Sequence, residues 1–273
     1  MFSKLEERPV GWAERWPALK FANDTVAIAD AELRKIFRDP TELFSRAVQP
    51  VLWLIIFGQV FSQIRGIPTG NISYLAFMTP GILAQSVLFS AIFYGIGVIW
   101  ERDLGIVHKL LVTPSSRGAL VLGKAVSAGF RGIVQAVIIY LVALALRIEI
   151  RWEVFAIAGV VSGVILGSAI FSTFSLIIAC IVKTRERFMG IGQVLTMPLF
   201  FASNAIYPLE MMPDWLKRVA GFNPLTFLVD VLRRLMIEGG RGAHSLAADF
   251  GVMAVVLLIM ILIASRLYST LAR

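Results

Sequence analysis

Between Val154 and Val182 the chain runs without one charged side chain. A helix of that length, at ~1.5 Å per residue, crosses the ~30 Å hydrocarbon core of a bilayer. The constraint repeats. Apolar runs at about 44–64, 74–99, 120–146, 154–182, 188–206 and 250–266 all reach spanning length. Of 273 residues 58% are hydrophobic and 16% charged, and the mean hydropathy is +0.78, too apolar for one soluble core. The expected fold class is therefore an all-α polytopic membrane protein with six transmembrane helices.

Charge then orients the spans. The net charge of +8 comes from basic residues that flank apolar runs instead of forming one stripe, which suits membrane topology and excludes nucleic acid as a partner. Lys4, Arg8, Arg15, Lys20, Arg34, Lys35 and Arg38 precede the first span, and Lys183, Arg185 and Arg187 fill the loop after the fourth. Those sides are read as cytoplasmic, which puts both termini and the interval Trp100–Arg117 inside. The loops on the other side hold Arg65, then Arg147 and Arg151; the long fifth loop carries Lys217, Arg218, Arg233, Arg234 and Arg241, and its length weakens its vote. Met1 to Lys20 has no apolar core of signal-peptide length, so the N-terminus is expected to be retained. The lone Cys180 excludes an internal disulfide and a cysteine-based metal site.

Three stretches outside the spans have their own order. Residues 1–43 form a cytoplasmic N-terminus in which Val26, Ala29, Leu33, Ile36 and Phe37 share one face of a helix, the pattern of a segment lying in the interface; Asp39-Pro40 stops it. In Trp100–Arg117, a short helix over 101–114 places Glu101 and Asp103 in its first turn and His108 and Lys109 in its last, matching the helix dipole. Leu104, Val107, Leu110 and Leu111 give it an apolar face, Gly105 allows close approach and Pro114 ends it, a design that asks for a partner groove or the membrane surface. Over 208–238, Pro213, Trp215, Leu216 and Val219 suit a short dipping helix. Asn223-Pro224 then opens a second amphipathic helix through Leu225, Leu228, Val229, Leu232, Leu235 and Met236.

Within the spans, Arg131 lies roughly 10 Å along the helix from Lys124, well inside the membrane. It either snorkels to the inner interface or meets an anionic lipid or substrate group. Gly159, Gly163 and Gly167 make a smooth strip for packing within the subunit or for a dimer seam. Gln59, Gln63, Gln85, Ser86, Ser90, Tyr94 and Asn204 are satisfied by interhelical hydrogen bonds or line a polar pathway. Phe57, Phe61, Phe89, Phe93, Phe200 and Phe201 would supply the apolar lining of such a pathway. The two histidines, His108 and His244, stand in no ligand or nucleophile motif, so neither a catalytic residue nor a metal site is assigned. Gly118 to Ala125 fits the phosphate-loop pattern apart from its final residue, but Ala125 cannot ligate magnesium and the segment enters a span.

Four stretches, RKIFRDP (Arg34–Pro40), TPGIL (Thr79–Leu83), WERDLGIVHKLLVTPSSR (Trp100–Arg117) and YPLEMMPDWLKRVAGFNPLTFLVDVLRR (Tyr207–Arg234), make the sequence resemble the ABC-2 type permease family. These are the membrane subunits of ATP-driven exporters of drugs, lipids and lipid-linked glycans. The resemblance implies that the stretch like Glu101 to Pro114 is the coupling helix, with Glu101, Arg102 and Asp103 making polar contacts to an ATPase. Leu104, Val107, Leu110 and Leu111 would anchor it, and His108 lies in the same stretch. It implies a gate helix in Val26 to Arg38, held at anionic headgroups by Arg34, Lys35 and Arg38, and re-entrant segments over Pro208 to Glu238. Two ABC ATPase subunits, binding the ATP and magnesium that this chain does not, and a second permease copy in a homodimer are the implied partners, with membrane lipids around them. Gln59, Gln63, Gln85, Tyr94, Arg131 and Asn204 are the pathway candidates. The expected location is a prokaryotic inner membrane. By physics alone an ATP-independent channel or secondary carrier competes, although no inverted repeat with broken helices is evident.

Overall fold

The computed structural model describes residues 17–38, 40–63, 72–113 and 115–268. Among them the chain is built of helices and turns, with one isolated antiparallel bridge between Ile150 and Ile237. Pro114, expected to end the coupling helix, lies outside the described residues, as do the side chains of His108 and Leu111. Among the described residues five helices are long and apolar enough to cross a membrane: Phe44–Ser62, Tyr74–Asp103, Arg117–Ala145, Val154–Ile181 and Leu246–Leu267.

Helix α1 (Pro17–Arg38) lies against α7 (Arg117–Ala145). Its buried stripe is Thr25, Ala29, Glu32 and Ile36, whereas Val26 and Phe37, expected on that face, are 66% and 69% exposed. The face is rotated because Gly123 lets the two backbones meet. A β-carbon there would stand 2.8 Å from both Ile28 and the Thr25 carbonyl oxygen. Gly118 similarly sits under Phe21. Two glycines of the false phosphate loop thus serve helix packing.

The first crossing joins α2 (Pro40–Leu52), a π-helical turn over Trp53–Phe57 and α3 (Gly58–Ser62). The second joins α4 (Tyr74–Ile92) and α5 (Tyr94–Asp103) across a break at Phe93. Such a break frees backbone groups that must find partners in an apolar setting. Ser175 supplies them: its hydroxyl donates to the Ile92 carbonyl and accepts the Gly95 N–H at 2.9 Å. At the other end of α4, Gly81 of the TPGIL stretch lies so close to the turn at 202–205 that a β-carbon would fall 2.7 Å from Ala205 Cα.

The coupling segment departs from the expected single helix over 101–114. Glu101, Arg102 and Asp103 end α5, Leu104 and Gly105 turn, and α6 (Ile106–Leu111) follows. Gly105 has φ +72°, a left-handed conformation, and open space around its α-carbon. Its role in the chain is therefore conformational, splitting one helix into two.

Helix α8 (Val154–Ile181) carries the glycine strip, and the strip is filled from within the subunit. β-Carbons at Gly159, Gly163 and Gly167 would lie 2.6, 3.0 and 2.6 Å from Leu235, Val231 and Leu228. Those three residues stand on α11 (Pro224–Met236), whose Asn223 cap accepts the Leu225 N–H at 3.0 Å. Read from sequence as an amphipathic outer helix, α11 is instead buried on nearly every side, including its polar Thr226, Asp230 and Arg233. Small residues opposite it are what admit it to the core. The run 188–206 becomes α9 (Arg185–Phe201), a 17-residue helix that starts among charges and ends in the turn at 202–205, shorter than the five crossings. After a 3-10 turn over Leu209–Met211, α10 (Asp214–Phe222) exposes Trp215, Val219 and Phe222, and α12 (Leu246–Leu267) is the last crossing.

Two apolar clusters result. The larger, with Met78, Leu83, Val164, Leu228 and Leu232, lies around α11. The smaller, with Tyr94, Val98, Val107, Leu120, Phe188 and Tyr268, lies where α5, α6 and the start of α7 meet.

Candidate functional site

Beside the smaller cluster sits a group of charges shared by three elements. Lys124, in the first half of α7 and only 2% exposed, donates to Glu32 Oε1 on α1 at 2.8 Å and to Glu101 Oε2 on α5 at 2.8 Å. Its third neighbour is the Tyr94 hydroxyl at 3.4 Å. Lys35, half exposed, binds the same two carboxylates from outside, at 3.1 Å to Glu32 and in a short contact to Glu101. Two cations and two anions balance. Burying a lone ion costs several kcal/mol, and attraction offsets that only when the geometry is complete, which the closed quartet provides. Burial raises the Glu32 carboxyl, but Lys124 and then Lys35 outweigh it and hold the group at about 2, below its ordinary 4.5. Arg131 extends the site, its guanidinium 4.6 Å over the Tyr94 ring.

A second set of contacts fixes the end of α5. Arg102 donates to the carbonyls of Val182 at 3.2 Å and Lys183 at 2.7 Å, placing a cation at the C-terminal end of α8. Asp103 pairs with Arg102 at 3.2 Å and with Arg185 at 2.8 Å, and the Arg185 guanidinium lies 3.7 Å over the Trp100 ring. Beyond this clamp, Val107 is buried in the smaller cluster while Leu104 and Val112 are bare, at 67% and 85%, and Ile106 is partly exposed. The exposed apolar knob thus rests on a segment locked to α1, α7 and the loop before α9.

The expected site residues divide accordingly. Glu101, Arg102 and Asp103, anticipated as contacts to another protein, also have partners inside the chain: Glu101 is buried in the quartet, Arg102 is tied to the loop before α9 and Asp103 to Arg185 at the start of α9. Leu104 and Val107, expected on one apolar face, point apart, because Gly105 turns the chain between them. On α1, Arg34 pairs with Asp30 at 2.9 Å, Lys35 joins the quartet and Arg38 is exposed at the helix end. Among the pathway candidates, Gln59 and Gln63 are exposed on and just after α3, Gln85 is buried in α4, Tyr94 and Arg131 border the quartet, and Asn204 lies in the turn after α9. There Asn204 Nδ2 donates to Asp230 at 2.5 Å, and its carbonyl accepts from Arg233 at 2.6 Å, whose guanidinium lies 3.8 Å over Phe77. The sequence reading missed Glu32 and Lys124. The signals were a charge on the 25, 29, 32, 36 stripe of α1 and a lysine well inside an apolar run.

The sequence profile described as ABC-2 type transporter matches residues 23–237. A protein carrying the name transport permease ycf38 in Cyanophora paradoxa is 32% identical over 200 residues, covering 72% of this chain and 69% of the relative. Nodulation protein J of Bradyrhizobium diazoefficiens is 27% identical over 215 residues, 78% of this chain and 80% of its own. The probable multidrug ABC transporter permease YbhR of Escherichia coli K12 is 27% identical over 173 residues, 62% of this chain and 45% of its own.

Proposed function

The chain belongs to the ABC-2 type transporter family, and from that membership we propose that it is the permease subunit of an ATP-driven exporter for an amphipathic or lipid-linked substrate. Drug, lipid and glycan are the substrate classes in view, and the multidrug permease among its relatives supports the first. The subunit would pair with a second copy of itself and with two ABC ATPase subunits that hold ATP and magnesium. Both termini and α6 would face the cytoplasm of a prokaryotic cell, with α9 as a sixth crossing.

The observation that carries this reading is the mechanical continuity from the exposed apolar residues Leu104 and Val112 to the ion quartet. A force on the knob reaches Glu101 three residues away and passes through Lys124 and Lys35 into α7 and α1 together. ATP-driven closure of the ATPases would thereby shift the spans between inward and outward access. Arg131, stacked on Tyr94 beside the quartet, is the cation that an anionic headgroup or substrate would meet.

The test is co-purification. The tagged chain, extracted gently from native membranes, should bring down a P-loop ATPase, and a Leu104→Arg, Val112→Arg double variant should lose it while remaining folded. Homogeneous wild-type protein that never carries an ATPase would move the assignment to an ATP-independent channel or carrier.

A further inference from the structure

At the end of the bundle away from the quartet, α11, the loop after it and the first turn of α12 bring Asp230, His244 and Asp249 together, with donor atoms all within 4.8 Å of one another. We propose that these three residues form a binding site for a divalent cation of the zinc class. Both carboxylates are fully buried. Asp230 is partnered, accepting the Asn204 amide at 2.5 Å and the Ala243 N–H at 2.8 Å. Asp249 is not: neither of its oxygens has a hydrogen-bond partner. A buried, unpartnered carboxylate beside a second carboxylate is costly as an anion unless a cation compensates it.

His244 Nδ1 stands 3.4 Å from Asp230 Oδ2 and 3.6 Å from Asp249 Oδ1. No hydrogen bond joins the ring to either acid, but an ion held at about 2.0–2.2 Å by tetrahedral donors sets them roughly 3.3–3.6 Å apart. Two oxygens and an imidazole nitrogen, with no thiolate, suit zinc or manganese. The His244 side chain is 42% exposed, so solvent reaches the group and a fourth position stays open. The surroundings fit a built site. Asn204 and the Ala243 N–H fix the Asp230 carboxylate, and Arg234 donates to the carbonyls of Gly242 and His244, holding the loop that carries the ring. An ion here would pin that loop to α11 and α12. The inference does not depend on the transport reading.

The full chain without a polyhistidine tag, purified in nanodiscs and stripped with a chelator, is titrated with zinc against a chromophoric competitor, then with manganese. Bound metal is counted by mass spectrometry and melting is followed in parallel. One zinc per chain and a zinc-dependent rise in Tm are expected for wild type, and both should vanish in Asp249→Asn and in His244→Ala. The His244→Ala variant leaves the buried acids in place and decides the matter if Asp249→Asn fails to fold. Wild type that binds no zinc, or a His244→Ala variant that binds it equally, overturns the site.

Discussion

Lys124 is the residue on which the α1 end depends. Removing it leaves Glu32 and Glu101 buried against Lys35 alone. Lys124→Met, which keeps the volume, should lower stability by about 3–5 kcal/mol at neutral pH, read from thermal melts in detergent. Acid should change the comparison in a definite direction. Because Glu32 is held at about 2 instead of 4.5, its contribution in wild type is complete above pH 4.5 and is lost as pH falls toward 2. In the variant Lys35 alone faces the Glu32 carboxylate, so ionised Glu32 contributes less there and the gap between the two curves should narrow on acidification. A gap independent of pH would mean that Lys124 acts through packing.

Among the elements, close helix contacts rest on particular glycines, and they can be ranked by what lies opposite. Gly81 faces backbone, the turn after α9, which cannot step aside. Gly81→Ala should cost about 1–3 kcal/mol, while Gly190→Ala on α9, with open space around it, should be neutral or gain up to ~1 kcal/mol of helix propensity. Paired melts of the two variants check the ranking. Five of the six expected crossings were legible because apolar runs of that length, with few charges inside them, are too long for a buried soluble helix. The helix break at Gly105 was not, since a glycine that packs and a glycine that turns look alike until the backbone is drawn. Nor was the burial of α11, whose period shows one apolar face while its Asp230 and Arg233 find partners from α4, the turn at 202–205 and the loop after α11. Glu32 and Lys124 each stand out locally as a charge on an apolar face, but that they pair with each other is not legible, because they lie far apart in sequence.

Taken whole, the molecule buries its spans unevenly. In the second crossing 83% of the apolar window is buried, against 22% in the first and 11% in the last. The outer faces of those two helices need lipid or a second copy to cover them. In nanodiscs, native mass spectrometry should find twice the 30.1 kDa of one chain; a single-copy mass would remove the homodimer and leave the family assignment intact. Such a chain enters the membrane from its N-terminus onward. Glu32 and Glu101 both precede Lys124 in the order of synthesis. When the third crossing emerges, the two acids that neutralise its lysine have already been made, so the span can arrive in the bilayer with its counter-charges waiting. The linear order of the residues thus serves biogenesis as the closed quartet serves the finished protein.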